Sequence, residues 1–175
     1  MRLPSMLSIT LGSALAAIAS GALAHTGAGV ATGLSAGLMH PLLGLDHLIA
    51  MLAVGLWAGR LGGRALWLVP LAFIALAAAG AGAALVLPTL PMAELVIVAS
   101  LVVFGALLAF EVRLANLWAA ALVGFFALFH GHAHGAEVPA AAAWATYGLG
   151  FLGTTALLHG LGIGLGRWLT ASSPR

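Results

Sequence analysis

The chain has 175 residues, of which 63% are hydrophobic and 6% are charged. A water-soluble domain carries about 25% charged residues, so this composition excludes an ordinary soluble protein. The mean hydropathy of +1.16 indicates a protein that is dissolved in lipid. Since one membrane span takes about 20 apolar residues, the length allows at most about five or six spans.

The charged residues exclude further classes of function. Six arginines stand against four acids, and lysine is absent. Because the arginines form no basic cluster, we expect no nucleic-acid partner. Without lysine the chain cannot form the phosphate-binding motif of P-loop ATPases, so we expect no ATP hydrolysis by this chain. The absence of cysteine excludes disulfides and thiolate metal sites.

The N-terminus has the pattern of a secretory signal peptide. Arg2 supplies a positive charge, an apolar stretch follows, and Ala22-Leu23-Ala24 matches a cleavage site between small residues. We predict a signal peptide over residues 1–24 and a transmembrane domain over 25–175. The mature chain would then begin outside the cytoplasm at His25. The alternative is a first helix that is retained.

Four later segments are apolar enough to be membrane helices, namely residues 65–87, 95–110, 114–129 and 140–166. The region 27–59 before them is too long for one ordinary span and too short for two. His40-Pro41 predicts a break within this region, because a residue before proline avoids helical geometry and proline suits the first turn of a new helix.

The arginines predict the topology, because positive charge collects on the cytoplasmic side of a membrane. The five arginines that follow the predicted signal peptide all fall on that side if region 27–59 crosses the membrane once. These five are Arg60, Arg64, Arg113, Arg167 and Arg175. We therefore predict an all-α, polytopic membrane helix bundle with about five full spans and an outer half-helix over residues 27–39. It would lie in the bacterial inner membrane, with a periplasmic mature N-terminus and a cytoplasmic C-terminus.

Pairs of glycines at a spacing of four predict close helix contacts within this bundle. The pairs are Gly33/Gly37, Gly55/Gly59, Gly131/Gly135 and Gly162/Gly166. With 24 glycines in the chain, chance pairs are the alternative. A homo-oligomer is compatible with such helices, and the sequence leaves the oligomeric state open.

The first group of polar residues is His40-Pro41-Leu42-Leu43-Gly44-Leu45-Asp46-His47. A charged side chain at mid-depth in a bilayer costs roughly 2.5 kcal/mol or more, which favours a functional role. Imidazole and carboxylate suit divalent ions such as nickel, cobalt or zinc. On a continuous helix His40 and His47 would lie about 10 Å apart. Either the break folds His40 back toward Asp46 and His47, or the two histidines bind the ion one after the other. The third interpretation is a helix cap and a buried Asp-His pair that only pack the bundle.

The second group is His130-Gly131-His132-Ala133-His134-Gly135-Ala136-Glu137. His130 and His134 share a helix face at a spacing of four residues, which is a familiar metal-chelating arrangement, and Glu137 can join them. His132 points elsewhere. The alternative is a solvated loop that binds metal weakly.

The predicted topology brings both groups to the outer half of the bundle, where Glu94 begins its span. His159 lies about 12 Å along its helix from Arg167, in the inner half, so the polar residues indicate a path. The predicted metal ligands are His40, Asp46, His47, Glu94, His130, His134 and Glu137. Met51, His25 and His159 are further candidates.

The segment from His40 to His47, read as H-P-x-x-G-x-D-H and continued by Met51 and Gly55, resembles the HupE/UreJ family. The segments His25-Thr26-Gly27, His130 to Glu137 and Leu158-His159 resemble it as well. The resemblance implies a bacterial nickel permease, sometimes for cobalt, which acts by facilitated diffusion and supplies hydrogenase or urease maturation. Ni²⁺ or Co²⁺ is then a transported ion, not a prosthetic group, and the protein is not an enzyme. The resemblance implies functional roles for His40, Asp46, His47, Glu94, His134 and Glu137.

Two other functions use the same residues. An intramembrane hydrolase would hold zinc with three of these ligands and a water molecule. A metal-binding accessory protein would bind the ion without transporting it. Ligand types alone do not separate nickel from cobalt or zinc, which are neighbours in the affinity series.

Overall fold

The computed structural model describes residues 33–138 and 144–172, and these ranges form helices and no strand. The six helices are α1 (Leu34–Leu43), α2 (Leu45–Leu61), α3 (Ala65–Ala83), α4 (Ala93–Ala109), α5 (Asn116–Glu137) and α6 (Trp144–Ser172). The prediction of an all-α protein is thus confirmed for this part of the chain. The predicted signal peptide and His25 lie outside the described residues.

Helices α1 and α2 are two arms of one bent segment, with an angle of 83° between them. The predicted position of the break was wrong, because Pro41 lies inside α1 and the helix continues to Leu43, just before Gly44. Gly44 has an extended backbone, with φ −89° and ψ 112°, and α2 begins directly after it. Pro41 removes one backbone hydrogen bond but is buried in this short helix, which packs along α6. Tertiary packing therefore keeps the helix intact through the proline.

The most intimate helix contacts are made by glycines. A side chain at Gly55 would place its Cβ 2.2 Å from the His159 carbonyl oxygen of α6, and one at Gly162 would lie 2.4 Å from that of Leu52 on α2. In the same way Gly131 of α5 lies against Ala77 of α3. Each pair predicted from the glycine spacing has at least one member pressed against another helix. The predicted close contacts are therefore present, and they hold α2 against α6 and α3 against α5.

Both the interior and the exterior of the bundle are apolar. Trp57, Phe73 and Phe104 are almost completely buried, while Leu117 and Trp118 are 73% and 69% exposed on the outside. In water such a surface would associate, so this surface is suited to lipid. In the part of the chain that the structure describes, α3, α5 and α6 are long and apolar enough to cross a membrane, and the bent pair makes a fourth candidate. Helix α4 has 17 residues, which is at the short end for a span.

One end of the bundle is tied together by basic and aromatic side chains. Trp57 Nε1 donates a hydrogen bond to the Val112 carbonyl oxygen at 2.9 Å, and Arg60 donates one to the Leu108 carbonyl oxygen at 3.0 Å. Arg113 in turn donates to the Arg60 carbonyl oxygen at 3.0 Å. Two of the arginines that were used to predict topology therefore lie side by side, as that prediction requires.

Candidate metal site

The bend at Gly44 brings together two histidines that a continuous helix would separate by about 10 Å. The ring centroids of His40, on α1, and His47, on α2, are 6.0 Å apart. Of the two arrangements that the sequence left open, the structure therefore has His40 folded back toward His47. The glycine at the bend is itself part of the site, because a Cβ at Gly44 would lie 2.7 Å from His47 Nδ1 and 3.0 Å from Asp46 Oδ1.

The ring of His134, from α5, lies between these two histidines. Its Nδ1 is 2.9 Å from His40 Nε2, and its Nε2 is 2.5 Å from His47 Nε2. A neutral histidine ring has one protonated nitrogen and one nitrogen with a lone pair. Each of these two contacts can therefore be a hydrogen bond with a shared proton, and a cation can take the place of that proton. His134 therefore has one nitrogen facing each arm of the bent segment.

Glu137 adds a carboxylate one turn after His134, with its Oε2 3.5 Å from His134 Nδ1. Ligand atoms of His40, His134 and Glu137 all lie within 4.8 Å of one another, and we call these three residues the ligand group. Two ligands bound to one ion at right angles by bonds of about 2.1 Å lie about 3 Å apart, which is close to the observed separation of the two histidine nitrogens. The spacing of these ligand atoms is therefore suited to a divalent ion.

Asp46 lies behind His47 and outside the ligand group. Its Oδ1 is 2.8 Å from His47 Nδ1. Since a carboxylate can only accept, His47 Nδ1 donates the proton, and its Nε2 keeps the lone pair that points to His134. This is the arrangement in which a carboxylate orients a metal-binding histidine and makes it more basic.

Glu137 is the most exposed residue of the ligand group. The side chain of Glu137 is 34% exposed and that of His134 is 4% exposed. His40 is half-buried and His47 is buried. An ion would therefore meet a carboxylate near the surface and imidazoles further in.

Aromatic residues of α6 form the wall beside the histidines. Phe151 has its ring centroid 5.0 Å from that of His134, and Tyr147 lies 5.9 Å from His40. Both also line an apolar cavity of about 360 Å³ between α3, α5 and α6 that reaches His134. Sequence reasoning did not select Tyr147 or Phe151, because one aromatic residue in an apolar helix carries no signal of its position.

The other predicted ligands lie elsewhere. His130 is fully buried one turn below His134, with its ring 5.6 Å from that of His47, and it is not in the ligand group. Glu94 is exposed in the first turn of α4 and is also outside the group. His159 is buried in the middle of α6, and Met51 lies in the hydrophobic core.

An all-helical bundle with an apolar exterior, and with imidazoles and carboxylates converging inside one end, defines a polytopic membrane protein with a buried polar centre. The HupE / UreJ protein family model matches residues 13–175. A relative, Protein HupE from Rhizobium leguminosarum bv. viciae, is 48% identical over 152 residues, which cover 86% of this chain and 80% of the relative. The chain therefore belongs to the HupE/UreJ family. No solved structure matches it.

Proposed function

We propose that this protein is a permease that carries a divalent transition-metal ion, with nickel as its main cargo and cobalt as a second, across the bacterial inner membrane. The observation that carries the proposal is the meeting of His40, His47 and His134, from three helices, with a carboxylate on each side. Membrane helices accept such costly residues chiefly where an ion or substrate passes. The family membership supports the same function.

The chemistry of the ligand group suits a passing ion. Imidazole nitrogen with carboxylate oxygen favours borderline divalent metals over magnesium or calcium. Glu137 and Asp46 offset the ion's charge as its hydration water is lost, which a low-dielectric site requires. With three ligands the group leaves coordination positions open, so that the ion can exchange ligands and move on.

The driving force need not come from ATP. A cytoplasm at negative potential favours entry by about 2.3 kcal/mol per charge per 100 mV, or about twice that for a divalent ion. In our proposal the ligand group faces the periplasm, the arginine end faces the cytoplasm, and the chain crosses about five times. The delivered ion would serve the maturation of hydrogenase or urease.

Uptake of radioactive nickel into liposomes containing the purified protein tests this proposal. We expect uptake that saturates with nickel concentration and increases with an inside-negative potential. Unlabelled cobalt should compete more strongly than zinc. Tight nickel binding without uptake would point to an accessory protein, and zinc-dependent cleavage of lipid or peptide substrates would point to a hydrolase.

A further inference from the structure

Two buried histidines lie deeper than the ligand group and have nitrogens without a hydrogen-bond partner in the described ranges. His130 is 0% exposed and His159 is 1% exposed. The unpartnered atoms are His130 Nε2 and both ring nitrogens of His159. Buried polar atoms are nearly always paired, so an unpaired set in the interior requires an explanation.

The tautomer of His130 leaves a lone pair on the ring nitrogen that lacks a hydrogen-bond partner. Nδ1 lies 3.1 Å from the Phe126 carbonyl oxygen. A carbonyl oxygen can only accept, so Nδ1 carries the proton and donates it. The lone pair of the neutral ring is therefore on Nε2, which is the buried and unpartnered atom. A backbone carbonyl that fixes the tautomer in this way is a common feature of metal-binding histidines.

His159 lies at a close crossing of α6 with α2. Its backbone is pressed against Gly55 of α2, where an added Cβ would lie 2.2 Å from the His159 carbonyl oxygen. Its ring faces Phe73 of α3, at a centroid distance of 5.0 Å. His159 is about 22 Å along α6 from Trp144, near the middle of that 29-residue helix. The ring is therefore fixed near mid-depth.

A continuous series of rings joins the ligand group to this depth. The ring centroids of His134 and His47 are 4.3 Å apart, and those of His47 and His130 are 5.6 Å apart. The Phe73 ring then contacts both deeper histidines, with its centroid 5.8 Å from that of His130 and 5.0 Å from that of His159. Each centroid distance in this series is shorter than the 6.0 Å between the rings of His40 and His47, on the two arms of the bent segment.

We propose that His130 Nε2 and His159 are successive inner ligands for the divalent transition-metal ion after it leaves the ligand group. This inference rests on the proposed function and adds the route that the ion takes through the bundle. Neither imidazole belongs to the group that includes the Glu137 carboxylate, so each would hold a divalent ion less tightly than the ligand group does. Such weak binding is suited to passage, because a tight inner site would trap the ion.

His132 offers a matched control on the same helix as His130. It is 3% exposed, and both of its ring nitrogens lack a partner within the described part of the chain. Among the described residues, its ring contacts no other histidine. If the burial of ring nitrogens without a hydrogen-bond partner were enough to affect nickel uptake, replacing His132 would have the same effect as replacing His130.

The experiment compares nickel uptake by liposomes containing H130Q, H159Q or H132Q, with glutamine chosen because it is polar and of similar volume. We expect H130Q and H159Q to lower the maximal rate about tenfold or more, equal to about 1.4 kcal/mol of barrier. The half-saturating nickel concentration, which reports the ligand group, should change by less than about threefold. H132Q should keep about the wild-type rate.

Wild-type maximal rates for H130Q and H159Q would overturn the inference, as would an equal loss in all three variants. If a variant does not fold, as judged by thermal unfolding in detergent, anomalous X-ray scattering at the nickel edge replaces it. Crystals of the wild type soaked in nickel should then show density beside His130 or His159, and density at the ligand group alone would overturn the inference. A wild type that takes up no nickel would instead refute the proposed function.

Discussion

Replacing Gly44 with alanine should weaken nickel binding without unfolding the protein. The backbone at Gly44, with φ −89° and ψ 112°, is one that alanine adopts readily, so the change adds no backbone strain. The added methyl group would instead lie 2.7 Å from His47 Nδ1 and 3.0 Å from Asp46 Oδ1. Ordinary contacts are about 3.5–4.0 Å, so the imidazole and the carboxylate must both move by roughly 0.5–1 Å.

That movement is larger than a metal site tolerates. Bond lengths to a metal vary by about 0.2 Å, and loss of the partner that orients a metal-binding histidine costs about 10–100-fold in affinity. We therefore expect the Gly44→Ala variant to bind nickel about 10–100-fold more weakly, equal to about 1.4–2.7 kcal/mol. Titration of the detergent-purified protein with nickel measures this affinity, and thermal unfolding measures the stability.

Gly153→Ala is the matched control, because a Cβ at that position meets no atom within 4 Å. It should leave both the nickel affinity and the unfolding temperature close to those of the wild type. Wild-type affinity in the Gly44→Ala variant would refute the argument that Asp46 and His47 form a single, sterically confined unit beside the bend.

Three further predictions concern the site and the helix packing. Asp46→Asn should abolish most nickel uptake while the protein still reaches the membrane, since it removes the carboxylate that orients His47 but little volume; normal uptake would count against the model. His134→Ala should reduce uptake more than His132→Ala, because His134 contacts both His40 and His47, and equal losses would contradict this. Gly80→Ala should lower the free energy of unfolding by about 1–3 kcal/mol, because its Cβ would lie 2.1 Å from a backbone oxygen of α5. Gly82→Ala should leave the free energy of unfolding unchanged, because a Cβ at Gly82 meets no atom within 4 Å. Thermal unfolding of the two variants tests this prediction.

Several features of the fold could be predicted from sequence because their causes are local or compositional. Too few charges to coat a surface in water predict a membrane bundle, and uninterrupted apolar segments predict its helices. The position of the bend could not be predicted in the same way. Pro41 was the stronger local signal, but contacts between α1 and α6 keep it helical, so the break comes at Gly44.

For the site, the sequence predicts which residues are chemically unusual, while their arrangement follows from the packing. The energetic cost of histidine and carboxylate in lipid selects His40, Asp46, His47 and His134 without any structure. A helical spacing of four residues suggested that His130 and His134 act together, but the structure places His134 between the two arms of the bent segment and His130 below it.

The amino-acid sequence by itself therefore determined that this protein is suited to lipid, that it is helical, and which of its side chains have the chemistry of metal ligands. Tertiary structure alone decided which of them meet, that Asp46 forms a hydrogen bond with His47, and that Phe73 contacts two deeper histidines. The physical reason is the range of the interactions. Hydropathy and helix formation depend on neighbours within a few turns, whereas a coordination group depends on bends and crossings that join residues almost a hundred positions apart in the chain.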